Sequence, residues 1–165
     1  MPPRPSPLVR GFLRALWRAL TGTAPRGRYP GDFTGRSTVL YSPRRNGRPE
    51  PGEVVWAWVP FEEDHGQGKD RPVLLVGRDR KYLLGLMLTS KNPPPPGATP
   101  GRKAQRSEYL SLGAGPWDRQ GRGSTLRLDR VLRVDPAAVR REGGILERVR
   151  FSLVADALRA RHGWR

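Results

Sequence analysis

In the run KDRPVLLVGRD (69–79) an arginine stands directly before a proline, and both stand before an apolar stretch. Proline has no backbone N–H, so inside a sheet it is confined to edges and strand starts. It also holds the residue before it in an extended conformation. Arg71 is thus a fixed positive charge at the mouth of a buried strand. A second apolar run, YLLGLMLTS (82–90), follows a short turn at 79–81. If the two runs form a hairpin, the numbers of paired residues total about 160, which sets Arg71 opposite Thr89, with Ser90 beside it. A guanidinium can give two parallel hydrogen bonds to phosphate oxygens, and a neighbouring hydroxyl adds a donor. Two plainer readings stand beside this one. Arg71 can be the ion-pair partner of Asp70 or Glu53, and Thr89 can be an ordinary strand residue.

Other residues could join that site. His65 lies in the loop EEDHGQGKD (62–70) and is a rival acid or base, or simply a solvated side chain. Trp117, between Pro116 and Asp118 in a glycine-rich loop, is expected to face outward and stack on an unpaired base. Arg119, Arg122 and Lys91 would line the same groove; a solvated surface is the equal alternative. Trp56 and Trp58 share one strand face, with Val55, Ala57 and Val59 on the other, and both tryptophans are expected in the core. Two distant histidines and scattered acids give no metal-ligand spacing, and the chain has no cysteine. No metal and no cofactor is expected.

The composition favours an anionic partner. The 165 residues carry a formal charge of +16, and only four of the 31 basic residues are lysines. Arginine forks onto phosphate and stacks on bases. A GC-rich coding bias is the competing explanation for so many arginines. Ten arginines against Asp32 and Glu50 place half of the net charge in residues 1–50.

The elements that must position these residues can be read from periodicity. Residues 1–50 form a Pro/Gly-rich leader expected to lack order, except for an amphipathic helix at about 7–21. There Leu8, Val9, Phe12, Leu13, Leu16, Trp17 and Leu20 fall at helical spacing, with Arg10, Arg14 and Arg18 opposite. Such a helix can pack on its own domain, dock on a partner or contact an anionic membrane. A compact domain is expected over 51–165. Strands are expected at 53–61, 71–78, 82–90, 108–112 and from 124, with a Pro/Gly loop at 91–105. Asp135–Pro136 announces a short helix ending at Gly143–Gly144. A longer helix follows from Leu146, with Leu146, Val149, Leu153, Ala157 and Leu158 as its buried stripe and His162–Gly163 at its end. The fold class is mainly β with terminal α: about five strands in a small antiparallel barrel capped by C-terminal helices.

GEVVWAWVPFEEDHGQGKDRPVLLVGRD, a strand ending LTS, and STLRLDRVLRVD resemble, in order and spacing, the MazF/PemK family of toxins over roughly residues 51–160. The resemblance implies an SH3-like barrel, usually a homodimer in the cytoplasm. It also implies metal-independent, sequence-selective cleavage of single-stranded RNA, with Arg71 and Thr89 at the positions of the catalytic arginine and threonine and Ser90 as the neighbouring candidate. An antitoxin that covers the RNA groove is implied too; the charge of this chain predicts an acidic one, with operator DNA engaged only through their complex. The chain departs from the family at Arg130, where a glutamine is frequent, and at Leu132, where a basic residue is frequent. A barrel that keeps the fold and binds RNA or a partner without cleaving is the alternative from another class.

Overall fold

The computed structural model describes residues 28–90 and 108–165. The expected helix at 7–21, the Pro-rich loop and Lys91 lie outside them. Six strands are present: β1 (Glu53–Pro60), β2 (Gly68–Asp79), β3 (Tyr82–Thr89), β4 (Tyr109–Gly113), β5 (Ser124–Val134) and β6 (Arg141–Ile145). One helix, α1 (Arg148–His162), closes the chain. The strands form one antiparallel sheet in the order β4-β5-β3-β2-β1-β6.

Both faces of this sheet are buried, which explains why β2 and β3 read as nearly continuous apolar runs. On one face Val54, Leu74, Leu84, Leu86 and Leu126 pack under Phe151, Val154, Ala155 and Leu158 of α1. On the other, Val55, Ala57, Val59, Val73, Leu75, Leu83, Leu132 and Val134 form a second cluster that contains no helical residue. A sheet can bury such a face only by curling over it. The curl is visible in Arg130, whose guanidinium donates from β5 to the Pro60 carbonyl at the end of β1 at 2.8 Å, although β3 and β2 lie between those strands in the sheet. The result is a half-barrel backed by one helix. Trp56 and Trp58 are half-buried and belong to neither cluster, so their expected place in the core is corrected.

Three further expectations change. The helix announced by Asp135–Pro136 is only a 3-10 turn, Pro136–Ala138. The Asp135 side chain caps it as expected, accepting from the Ala137 N–H at 3.0 Å. The chain then extends as β6 along β1. Gly143 is a point of close approach rather than a helix stop: a Cβ there would lie 3.0 Å from the Val54 carbonyl oxygen. Second, α1 buries Phe151, Val154, Ala155 and Leu158, the complete i, i+3, i+4, i+7 set. Val149 and Leu153 of the expected stripe are 76% and 55% exposed. The ring of Phe151 decides the face, packing against Tyr41 at 4.8 Å between centroids. Gly163 ends the helix in the left-handed conformation (φ 63°), as anticipated.

Third, order begins well before residue 51. Residues 28–50 form no strand or helix but cross the sheet as an extended strap. Phe33, Val39 and Tyr41 pack on the main core. The strap's backbone bonds are single and scattered: Phe33 N–H to Val131 O at 2.8 Å, Val39 N–H to Arg165 O at 2.6 Å, Leu40 N–H to Val76 O at 2.9 Å. Its charged anchor is Asp32, which receives two hydrogen bonds from Arg130, at 2.8 and 3.2 Å, and one from the Tyr29 hydroxyl at 2.7 Å.

That anchor makes the strap sensitive to acid. Partial burial works against the Asp32 carboxylate, but the hydrogen bonds from Arg130 and Tyr29 outweigh it and hold its pKa below the ordinary 3.8. A lowered pKa stabilises the fold above the unfolded-state value, and that contribution is lost as pH falls through the folded one. Arg130 is 7% exposed, so removing its partner strands a buried charge. Asp32→Asn is expected to cost about 2–3 kcal/mol at pH 7, below the full 3–5 of a sealed pair because Asp32 is partly open. In urea unfolding from pH 7 down to pH 3 the gap to the parent should narrow without closing, because the folded carboxyl titrates below 3.8. A constant gap across that range would show that the pair is not the anchor.

Candidate active site

The β2–β3 hairpin has the register expected for its first half. Val73 pairs with Met87, Leu74 with Leu86 and Leu75 with Gly85, each pair totalling 160. A bulge at Val76 shifts the pairing by one towards the turn, where Arg80 takes a positive φ of 56°. The shared ladder stops at Val73 and Met87. Pro72, which has no N–H to give, is the first β2 residue beyond it.

Past that point the sheet divides. β2 continues with β1, Arg71 opposite Ala57. β3 continues with β5, Thr89 opposite Thr125. A notch therefore opens between β2 and β3, with Arg71 on one lip and Thr89 on the other. Side chains alternate along a strand, so Arg71 shares the face of Val73 and Leu75, and Thr89 that of Met87. Val73, Leu75 and Met87 all belong to the cluster inside the curl, so the two residues face the same way, each two positions past the last β2–β3 pair.

Neither ion-pair alternative for Arg71 is realised among the described residues. Asp70 bonds to Arg140 at 3.0 Å. Glu53 accepts the backbone N–H groups of Arg44 and Glu50 at 2.9 and 3.2 Å. Arg71 is half-buried beside the small Ala57, and among the described residues no carboxylate neutralises its guanidinium.

A family model described as the PemK-like, MazF-like toxin of type II toxin–antitoxin systems matches residues 50–161. The chain belongs to this family. Among solved structures, an endoribonuclease in complex with its cognate antitoxin from a mycobacterial species matches with 13% identity and a TM-score of 0.49, over 70% of this chain and 95% of that one. No curated protein matches.

In this PemK-like chain the remaining candidates are distributed unevenly. The loops 61–67 and 114–123 leave the sheet at the same end as the notch, and exposed Ser90 directly follows β3 there. His65 sits in the first loop, its ring edge-on to Tyr29 at 5.0 Å. It lines an open cleft of about 830 Å³ together with Trp58, Glu63 and Arg28. Burial and the hydrogen bond to Asp32 push the Tyr29 hydroxyl well above its usual pKa, so Tyr29 stays neutral. Arg119 and Arg122 are exposed in the second loop. Arg122 is tied to Asp118 at 2.9 Å. The Asp118 carboxyl lies below its ordinary pKa, first through the Gln120 N–H it accepts, against a weaker desolvation effect, and then through Arg122.

Trp117 corrects the expectation placed on it. It is 3% exposed within the main core, and its indole N–H donates to Ser124 Oγ at 2.9 Å. It is not an outward stacking platform. Among the described residues no three metal-ligating side chains come together, and no helix is long and apolar enough to cross a membrane.

Two features escaped the sequence reading. Arg127 in β5 is clasped by Asp129 at 2.7 Å and by Glu62 from the loop after β1. This fork ties that loop to the far side of the half-barrel. The hydrogen bond that Arg127 donates to Asp129 dominates, outweighing desolvation, and with Glu62 it keeps Arg127 firmly charged. The second feature is Thr125, placed directly beside Thr89. Alternation along 124–134 was the available signal, but the β3–β5 ladder slips between Leu86 and Leu88, and no pattern in the sequence marks that slip.

Proposed function

We propose that this toxin-family protein is a metal-independent, sequence-selective endoribonuclease acting on single-stranded RNA. The observation that supports this most directly is the notch: an unneutralised guanidinium and a hydroxyl face the same way on its two lips. Without a metal, RNA is cleaved by its own 2′-hydroxyl. The attack makes phosphorus a crowded centre of developing negative charge, which fixed positive charge and preorganised donors stabilise. Arg71 clamps the nonbridging oxygens. Thr89 donates from the opposite lip, with Ser90 as its neighbour. A guanidinium offers donors and no acceptor, so Arg71 serves as clamp and donor, not as base. The products are a 2′,3′-cyclic phosphate and a 5′-hydroxyl end. Arg119, Arg122 and His65 line the approach of the strand, and Lys91 is the further candidate from the sequence.

In this reading the protein works as a cytoplasmic homodimer with an SH3-like barrel in each protomer. A small acidic antitoxin neutralises it, in keeping with the charge of +16, and operator DNA is reached only through that complex. The test is incubation with a long unstructured RNA in EDTA, with the new ends mapped. Cleavage at a limited set of sites, leaving 5′-hydroxyl ends, is expected. Intact RNA under these conditions would leave the non-catalytic RNA-binding barrel as the better reading.

A further inference from the structure

The polar row of the notch does not stop at Thr89. Thr89 pairs with Thr125 in β5, and Thr125 pairs with Ser111 in β4. Directly opposed residues of an antiparallel ladder share a face. The hydroxyls of Thr89, Thr125 and Ser111 therefore stand side by side, at interstrand steps of about 4.8 Å, on the face that carries Arg71. From Thr89 to Ser111 the row crosses two interstrand steps, about 10 Å in all, which is longer than one nucleotide of an extended strand.

Thr125 is the telling member. It is 7% exposed, and its hydroxyl has no hydrogen-bond partner among the described residues. Its neighbour Ser124, which points to the other face, is satisfied by Trp117. Nor is the Thr125 hydroxyl sealed off: among the described residues the side-chain atom that is both sealed and unpartnered is Asp70 Oδ1. A nearly buried hydroxyl left unpaired is costly unless something arriving from outside completes it. Ser111 is exposed on the edge strand, where a chain leaving Thr125 would pass next.

We infer that Thr125 is a second RNA-contacting residue, donating to the phosphate adjacent to the scissile one, with Ser111 continuing the track. This rests on the reading of the Arg71–Thr89 notch as the scissile-phosphate site. A row of single hydroxyl donors matches the repeated acceptors of a sugar-phosphate chain and carries no pattern that would read a base.

The test is binding of a mixed-sequence 2′-O-methyl RNA, which lacks the nucleophile, alongside cleavage of the ordinary RNA. Thr125→Val keeps the β-branched shape and removes the donor. It is expected to weaken binding about tenfold and to raise KM similarly with kcat unchanged, the mark of a contact made equally in ground and transition states. The salt dependence of binding should keep its slope, whereas Arg71→Ala should lessen it by about 0.7. Thr125→Ser should restore binding. Wild-type Kd and KM in a folded Thr125→Val protein, or a loss confined to kcat, would overturn the inference. If that variant does not fold, Ser111→Ala on the exposed edge decides: about threefold weaker binding is expected, and unchanged binding counts against the track. Failure of the underlying reading looks different, because Arg71→Ala would then cleave at the wild-type rate.

Discussion

Arg71→Ala should fold normally and lose RNA cleavage by a factor of about 10²–10³. The two halves of this expectation have separate causes. Folding is spared because nothing leans on the guanidinium: no carboxylate pairs with it among the described residues, and the strand neighbour opposite is Ala57. Deleting Arg130 would instead strand Asp32 and the Pro60 carbonyl, both of which depend on it. Cleavage is lost because Arg71 is a permanently charged side chain held on a lip of the notch. Pro72 keeps its backbone extended, so the charge is in place before the phosphate develops its own. Arg71→Lys retains the charge but not the fork, and should recover only part of the rate. Single-turnover cleavage of an unstructured RNA, read beside the thermal midpoint of each variant, checks both halves. A folded Arg71→Ala protein that cleaves like the parent would remove Arg71 from the reaction and the notch from the mechanism.

The hairpin carrying Arg71 and Thr89 was legible because two apolar runs flank a short turn, and a ladder then follows by counting. Counting held over Val73–Leu75 and Gly85–Met87 because the bulge at Val76 takes up the mismatch at the turn end. What counting could not supply was the end of the ladder. The notch exists because β2 keeps β1 and β3 keeps β5 after they part from each other, and a failure to pair leaves no pattern in the residues. The strap at 28–50 was illegible for a related reason. It is held by isolated hydrogen bonds and by Phe33, Val39 and Tyr41, with no period to detect, so its Pro/Gly content read as disorder. In β6 the Gly-Gly pair fits a helix stop and a close-packed edge strand equally well. Only the proximity of Val54 separates the two, and that is a tertiary fact. On α1 two stripes competed, and the residues that won include the aromatic ring, which buries the most apolar surface.

Trp117→Ala should cost about 3–5 kcal/mol, the range for emptying a buried aromatic site. A domain of this size is commonly stable by only about 5–15 kcal/mol, so the loss is a large share of the whole. The loop around Trp117 is rich in glycine because the ring needs room: a Cβ on Gly115 would overlap the indole, and one on Gly143 would lie 3.0 Å from the Trp117 Cβ. The two glycines leave a slot between the loop and β6, and the indole fills it. Truncation would open a cavity there and leave the Ser124 hydroxyl without its donor. The damage would spread to the site, because Ser124 begins β5 and precedes Thr125, while Arg119 and Arg122 ride on the same loop. Trp117→Phe keeps a six-membered ring but loses the N–H and part of the indole volume, so a smaller cost of about 1–3 kcal/mol is expected. Urea unfolding of the three proteins separates core from platform. A stacking platform would leave the unfolding midpoint of Trp117→Ala unchanged and weaken only RNA binding. A buried anchor lowers the midpoint first, and RNA binding should then recover at temperatures low enough to keep the variant folded.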